Sequence, residues 1–201
     1  PPAAVRPWTG VRQAIAYGIN QQRIIDKLLF GKAKIGTSEL NTGYFDCQDK
    51  PYLYDPEKAK ALLTEAGWVP GSDGIRVSKG AKVALDGTRL RLKFSTTSGD
   101  KLREDSQVLV VENLKAMGVE LFIENAPSSV VIGTWDGNSP RRRGNFDIIM
   151  YTTNAAIDPH SQMVNLFSSA QIPSVDNKGG LNYTRFSDPK VDDLLKAAAA
   201  E

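Results

Sequence analysis

The middle of the chain alternates between strand-like and helix-like hydrophobic patterns, and this order restricts the fold more than any other feature. Apolar and polar residues alternate over 90–94 and over 119–123, as in strands with one face toward solvent. The segment 146–151 is apolar on both faces, which predicts a central strand covered on two sides. Helical patterns lie between these strands, at 106–117 and 128–135. The resulting β-α-β-α-β order predicts an α/β layer with right-handed crossover connections.

Apolar periodicity and capping signals predict further helices on both sides of this region. One apolar stripe over 11–29 predicts a single helix, with Gly31 as its terminator. Another helix is expected after Asp55, whose carboxylate can cap it, with Pro56 in the first turn, where a missing N–H costs nothing. The pattern over 191–200 predicts the last helix of the chain.

Composition and charge restrict the classes of function. A hydrophobic fraction of 41% and a charged fraction of 24% are typical of a globular protein. The formal net charge of +2 gives no reason to expect a nucleic acid as the main partner. The single cysteine, Cys47, excludes an internal disulfide and a CxxC metal or redox motif. No apolar run approaches the roughly 20 residues that span a bilayer, so we expect no membrane-spanning segment in this chain.

Residues that could carry catalysis are few. His160 is the sole histidine, and it follows Asp158 and Pro159, so we expect it on the first turn of a helix that Asp158 caps. One histidine with few soft ligands nearby does not make a zinc site. Cys47 has no close basic neighbour to activate its thiol. We therefore predict no catalytic residue, no metal and no cofactor. The enzyme alternative, a hydrolase, would need an activated nucleophile near His160.

Arg141, Arg142 and Arg143 form the sharpest run of charge in the chain. Such a run usually belongs to a solvated loop, and we expect a loop over 136–144. The alternative for this run is a role in binding an anion or docking a partner. Nucleic-acid binding would need more basic surface and interleaved aromatic residues.

Blocks of sequence that follow one another along the chain carry a family resemblance. YDPEKAKALL at 54–63 and EAGW at 65–68 form a quite specific block, and VRQAIAYGIN at 11–20 is another, with Asn20 where aspartate is usual. Further similar stretches follow in order at 114–119, 144–148 and 187–192. Together they resemble the peptide/nickel/oligopeptide-binding receptors of ABC importers, family 5 of the extracellular solute-binding proteins.

The resemblance implies an α/β fold, one lobe of a two-lobed, periplasmic-binding-protein-like type II fold. We expect residues 1–201 to form a single α/β lobe, the second lobe of a larger receptor. The chain starts at Pro1 without an initiator methionine or the pattern of a signal peptide, and the helical pattern over 191–200 reaches Glu201 without a stop signal, so we expect an excised fragment. In this family two lobes close around a solute, with a hinge between them.

The implied function is the substrate-binding component of an ABC importer, which captures a peptide or other small solute outside the cytoplasmic membrane and makes or breaks no bond. The implied location is the periplasm, or the cell surface through a membrane anchor. The implied partner is the importer's membrane permease, and we expect a monomer. The alternative is a ligand-sensing domain of a regulator, which would use the same fold.

The candidate ligand site follows the predicted strand 146–151, because loops at the carboxyl ends of strands present ligand contacts in α/β folds. Hydroxyls and an amide at this position can hydrogen-bond a peptide-like or sugar-like solute. Oligopeptide receptors commonly carry here an aspartate that pairs with the ligand's α-amine, whereas this chain has Ala155. A solute held in another way is therefore an open alternative. The predicted contact residues are Tyr151, Thr152, Thr153, Asn154 and Asp158.

Overall fold

The computed structural model describes residues 8–38, 51–153 and 158–199, which form two compact units. The first unit holds 8–35, 51–94 and 100–123. The second unit holds 36–38, 95–99, 124–153 and 158–199. That residues 1–201 form a single lobe stays a prediction.

Helices and short strands alternate along the described residues. The helices are α1 (Thr9–Gly18), α2 (Gln21–Leu28), α3 (Pro56–Glu65), α4 (Lys101–Lys115), α5 (Ser128–Val131), α6 (Pro140–Arg143), α7 (Pro159–Phe167) and α8 (Pro189–Ala197). The strands are β1 (Trp68–Pro70), β2 (Arg76–Ser78), β3 (Arg91–Thr96), β4 (Glu120–Ile123) and β5 (Ile148–Met150). β1 and β2 form an antiparallel hairpin.

Three of the helices begin with the same Asp-Pro pair. The Asp55 carboxylate accepts a hydrogen bond from the Lys58 N–H at 2.9 Å, and Asp188 accepts one from the Lys190 N–H at 3.0 Å. Asp158 caps α7 in the same manner. This pair leaves fewer backbone N–H groups without a partner, because the aspartate side chain accepts a hydrogen bond from one of them and proline has no N–H group. The predicted starts of α3 and α7 are confirmed.

The β3–α4–β4 segment contributes most of its residues to the first unit. β3 and β4 pair in parallel, from Arg91 opposite Glu120 to Phe94 opposite Ile123, with α4 as the connection. Parallel neighbours need such a crossover, so the predicted β-α-β order is confirmed. Leu92 and Phe94 of β3 are buried, as their alternation with charged residues predicts.

The predicted single helix over 11–29 is wrong, because the chain breaks into α1 and α2 at Ile19, which is extended. The Asn20 side chain accepts a hydrogen bond from the Arg23 N–H at 2.9 Å and so caps α2. The Asn20 N–H donates to the Asn113 side chain on α4 at 3.1 Å. A short amide side chain offers the backbone a cap that competes with a continuous helix, and here the cap prevails.

Three predictions about the segments before the candidate site are also wrong. Among the described strands the order is β4–β3–β5, so β3 is in the middle and β5 lies at an edge. An apolar run does not fix the position of a strand in the sheet, and Ile148–Met150 are only half-buried. The short helix predicted over 128–135 ends at Val131, and the loop predicted over 136–144 contains α6.

Candidate ligand-binding site

A buried hydroxyl holds the end of β5, where the predicted site residues begin. Thr96 is fully buried, and its hydroxyl donates a hydrogen bond to the Met150 carbonyl at 2.7 Å. Tyr151 follows directly and is half-buried, whereas Thr152 and Thr153 are exposed. The predicted change from a strand to an accessible polar segment is therefore present at this position. Asn154 lies outside the described residues.

Asp158 serves first as a helix cap. Its two carboxylate oxygens accept hydrogen bonds from the His160 N–H at 3.0 Å and the Ser161 N–H at 3.1 Å. The hydrogen bond from the Ser161 N–H, and then that from the His160 N–H, hold the pKa of Asp158 below its ordinary value, because they favour the charged form. The side chain is exposed, so contact with a solute stays a prediction for it.

A cavity of about 340 Å³ lies in the second unit, beside Tyr151 and Thr153. Its walls combine aromatic and aliphatic surface with amide, hydroxyl and guanidinium groups. The lining residues are Arg141, Arg142, Tyr151, Thr153, Gln162, Asn165, Leu166, Leu181 and Tyr183. A neighbouring cavity of about 250 Å³ shares the wall formed by Tyr151, Thr153 and Tyr183. Two of the five predicted site residues thus line the cavity.

α7 carries part of the cavity wall. Gln162, Asn165 and Leu166 recur at three- and four-residue spacing, which places them on one face of the helix. Since Asp158 fixes the start of α7, it positions this face through the helix. The pair of tyrosines opposite is fixed by an edge-to-face contact between Tyr151 and Tyr183, with ring centroids 6.5 Å apart.

Arg141 is one of the seven lining residues that were not predicted from the sequence. Arg141 is only 8% exposed, although a run of three arginines predicts a solvated loop. The guanidinium lies over the Tyr183 ring, 4.3 Å from its centroid, and 5.0 Å from that of Tyr151. One nitrogen, Nη2, donates a long hydrogen bond of 3.3 Å to the Ile132 carbonyl. The Nε–H of Arg141 has no hydrogen-bond partner among the described residues.

The other two arginines of the run stabilise the surrounding loops. The Arg142 guanidinium donates to the carbonyls of Gly133, Lys178 and Gly180, each at 3.1 Å. The Arg143 guanidinium donates to the Trp135 carbonyl at 3.0 Å. The guanidinium of Arg142 thus has three carbonyl acceptors, whereas those of Arg141 and Arg143 have one each. The sequence shows a run of three arginines, but which of the three is buried depends on where α6 begins.

The described part of the chain contains His160, one of the two residues that could support catalysis. His160 lies on the first turn of α7, as predicted, and Cys47 lies outside the described residues. Within residues 8–38, 51–153 and 158–199, no three potential metal ligands cluster together. In the same ranges, none of the helices has the length and apolar character required to span a bilayer.

Comparison with known proteins gives consistent matches. The family model of the bacterial extracellular solute-binding proteins, family 5 (middle part), matches residues 9–174. The oligopeptide-binding protein AppA of Bacillus subtilis is 30% identical over 193 residues, which are 94% of this chain and 32% of that protein. The nickel-binding periplasmic protein of Escherichia coli is 29% identical over 168 residues, 82% of this chain and 29% of that protein. The chain thus spans about a third of the length of these curated relatives.

Solved structures show the same correspondence. NikZ from Campylobacter jejuni in complex with Ni(L-His) matches with a TM-score of 0.78 at 26% identity, covering 94% of this chain and 35% of NikZ. AppA from Bacillus subtilis in complex with a nonapeptide matches with a TM-score of 0.72 at 26% identity, covering 96% of this chain and 36% of AppA. The predicted fold class is confirmed: the chain is an α/β fragment of the two-lobed type II periplasmic-binding fold.

Proposed function

Because the chain belongs to the family 5 bacterial extracellular solute-binding proteins, we propose that it is part of the substrate-binding component of an ABC importer. The whole receptor captures a peptide or another small solute outside the cytoplasmic membrane, as a monomer, and delivers it to the membrane permease. It makes and breaks no covalent bond. The relatives reported above are binding proteins, which favours import over the alternative of a sensory domain in a regulator.

The observation that carries this proposal is the cavity beside the end of β5. Its volume of about 340 Å³ lies within the range of small-molecule sites, which run from about 300 to 1,000 Å³. Aromatic rings from Tyr151 and Tyr183 supply apolar surface, and Thr153 supplies a hydroxyl. Such a mixture of broad apolar contact with a few polar groups is typical of small-molecule binding sites.

Capture requires the rest of the receptor. A bound small molecule usually has about 70–90% of its surface buried, and a cavity with an open side covers less. We propose that lobe closure in the whole receptor covers the solute over Tyr151, Thr152, Thr153 and Asn154. Asp158 takes part by fixing the start of α7. The chain 1–201 alone is then expected to bind more weakly than about 1 μM.

The proposal is tested on the full-length receptor. Native mass spectrometry identifies the solute that co-purifies with it, and calorimetry then measures the affinity of variants for that solute. Tyr151→Ala is expected to weaken binding by about tenfold or more, since a truncated aromatic contact commonly costs over 1 kcal/mol. The matched control is Tyr54→Ala, at an exposed tyrosine in the first unit, with an affinity within about twofold of wild type. A receptor that retains no small molecule, or a Tyr151→Ala variant with wild-type affinity, contradicts the proposal.

A further inference from the structure

The last turn of α2 and the residues after it form a basic and aromatic tip, which we define as residues 27–35. Phe30 is 83% exposed, although removing a phenylalanine ring from water is favourable. Lys27, Lys32 and Lys34 flank it and are also exposed, and the sequence 27–35 contains no aspartate or glutamate. The tip belongs to the first unit, whereas the candidate ligand cavity lies in the second. The proposed function therefore does not explain the tip.

The backbone holds Phe30 in a conformation that does not suit a phenylalanine. Its φ is +54°, in the left-handed region, where a bulky side chain is strained and glycine is the usual residue after a helix. The Gly31 N–H donates to the Ile25 carbonyl at 3.1 Å, which fixes the turn at this point. The Lys32 N–H donates to the Leu29 carbonyl at 2.8 Å. A bulky apolar residue kept in a strained and exposed position indicates a function at that residue.

The three lysines of the tip have no ion pair within the described chain. Among residues 8–38, 51–153 and 158–199, no carboxylate lies within 4.0 Å of the ammonium of Lys27, Lys32 or Lys34. Asp26, which directly precedes the tip, accepts a hydrogen bond from the Gln22 amide at 2.8 Å. Three cations around one apolar ring favour a partner that is negatively charged and can also take up an apolar group.

A bilayer that contains anionic lipids has both of these properties. Its negative surface attracts lysines, and the region below the head groups takes up an aromatic ring. The apolar stems of the lysines can follow the ring while their ammonium groups stay at the head groups. A stable protein partner would need a complementary surface of about 800 Å² on each side. The tip offers one exposed ring and three flexible side chains, which a deformable bilayer accommodates without a matching pocket.

We infer that the tip 27–35 contacts the surface of an anionic phospholipid membrane, with the Phe30 ring among the lipids and the three lysines at their head groups. This goes beyond the proposed function, because it concerns neither the solute nor the cavity. One ring and three lysines give a reversible attachment, since even a single acyl chain binds a membrane reversibly. Such a contact keeps the receptor near the membrane, where the proposed permease lies, without holding it there permanently.

The test uses the full-length receptor, produced without lipid modification so that no acyl anchor contributes. Co-sedimentation is expected to show binding to vesicles of equal parts phosphatidylglycerol and phosphatidylcholine, and at least about tenfold weaker binding to phosphatidylcholine alone. Replacing Lys32 and Lys34 together by glutamine should weaken binding to the anionic vesicles by about 25-fold, since each lysine contributes about fivefold. The matched control replaces Lys79 and Lys82, two exposed lysines of the same unit, and should bind within about twofold of wild type.

The variant Phe30→Gly separates membrane contact from a structural role of the ring. Glycine adopts the left-handed conformation without strain, so the thermal midpoint of this variant should equal or exceed that of wild type. Its binding to the anionic vesicles should be weaker by about tenfold or more, because the apolar ring is lost. The matched control is Leu85→Ser, at an apolar residue of the same unit that is 85% exposed and followed by Asp86, with binding within about twofold of wild type.

The outcomes decide this inference separately from the proposed function, which the affinity for the solute tests. Absence of vesicle binding, equal binding to anionic and neutral vesicles, or wild-type binding by Phe30→Gly overturns the inference. A lowered thermal midpoint of Phe30→Gly would show that the rest of the receptor covers the ring, and overturns it as well. A Phe30→Gly variant that binds vesicles normally and loses affinity only for the permease in neutral lipid assigns the tip to a protein partner instead.

Discussion

The hydrogen bond between Thr96 and Met150 offers a test of what holds the candidate site in position. The substitution Thr96→Val replaces the hydroxyl with a methyl group of almost the same shape. It removes the donor that reaches the Met150 carbonyl at 2.7 Å, one residue before Tyr151. Because Thr96 is fully buried, water cannot easily replace the lost hydroxyl.

The expected magnitude follows from this geometry. A buried acceptor left without its partner costs about 1–3 kcal/mol. The shape of the side chain is kept, so no cavity contributes a further loss. We expect the free energy of local opening at the end of β5 to fall by about 1–3 kcal/mol, which corresponds to about 5- to 150-fold faster amide exchange.

Hydrogen–deuterium exchange of the full-length receptor measures this effect in the peptide that contains β5 and residues 151–153. The control is Thr88→Val, the same change at an exposed threonine of the first unit, for which exchange in that peptide should equal that of wild type. If Thr96→Val also exchanges at the wild-type rate, the hydroxyl does not hold the end of β5, and our reasoning about how the site is positioned is refuted.

Two further predictions concern stability. Gly118 has a positive φ of +85°, and an added Cβ would lie 2.8 Å from the Gly74 carbonyl oxygen. Urea unfolding of Gly118→Ala should therefore show a loss of stability at least about 1 kcal/mol larger than that of Gly87→Ala, since Gly87 has a similar φ of +83° but open space around it. Equal losses in the two variants would contradict this. The hydroxyl and the N–H of Ser169 both donate hydrogen bonds to the Asp192 carboxylate, and these bonds lower the pKa of Asp192, the hydroxyl more than the N–H. The charged carboxylate therefore stabilises the fold above its ordinary pKa of 3.8, and this contribution is lost as pH falls through the lowered pKa. The thermal midpoint of Asp192→Asn should therefore lie below that of wild type at neutral pH and approach it under strongly acidic conditions, whereas a gap that is independent of pH would show that this carboxylate is not involved.

Local chemistry made parts of the fold predictable from the sequence. An aspartate followed by proline fixes a helix start through a few bonds within one turn, as at Asp55 and Asp158, and both starts were predicted. The alternation of apolar and charged residues over 90–94 indicates which face of β3 is buried, because neighbouring side chains of a strand point to opposite faces. Features that depend on distant partners were missed. The break before α2 involves Asn113 on α4, and the edge position of β5 depends on which strands pair.

The candidate site shows the same division. Tyr151 and Thr153 were predicted because they follow an apolar strand, which is a property of neighbouring residues. Arg141 was not predicted, because its burial depends on Tyr183, about 40 residues further along the chain. A run of arginines carries no signal that separates the buried member from Arg142 and Arg143. Only the packing of α6 makes that distinction.

The position of the bound solute tests the central claim most directly. A crystal structure of the full-length receptor, purified with the solute that it retains, locates that molecule relative to the end of β5. Our account predicts electron density for the solute against the Tyr151 ring and within hydrogen-bond distance of the Thr153 hydroxyl. Solute density elsewhere in the receptor, with neither residue in contact, would contradict it.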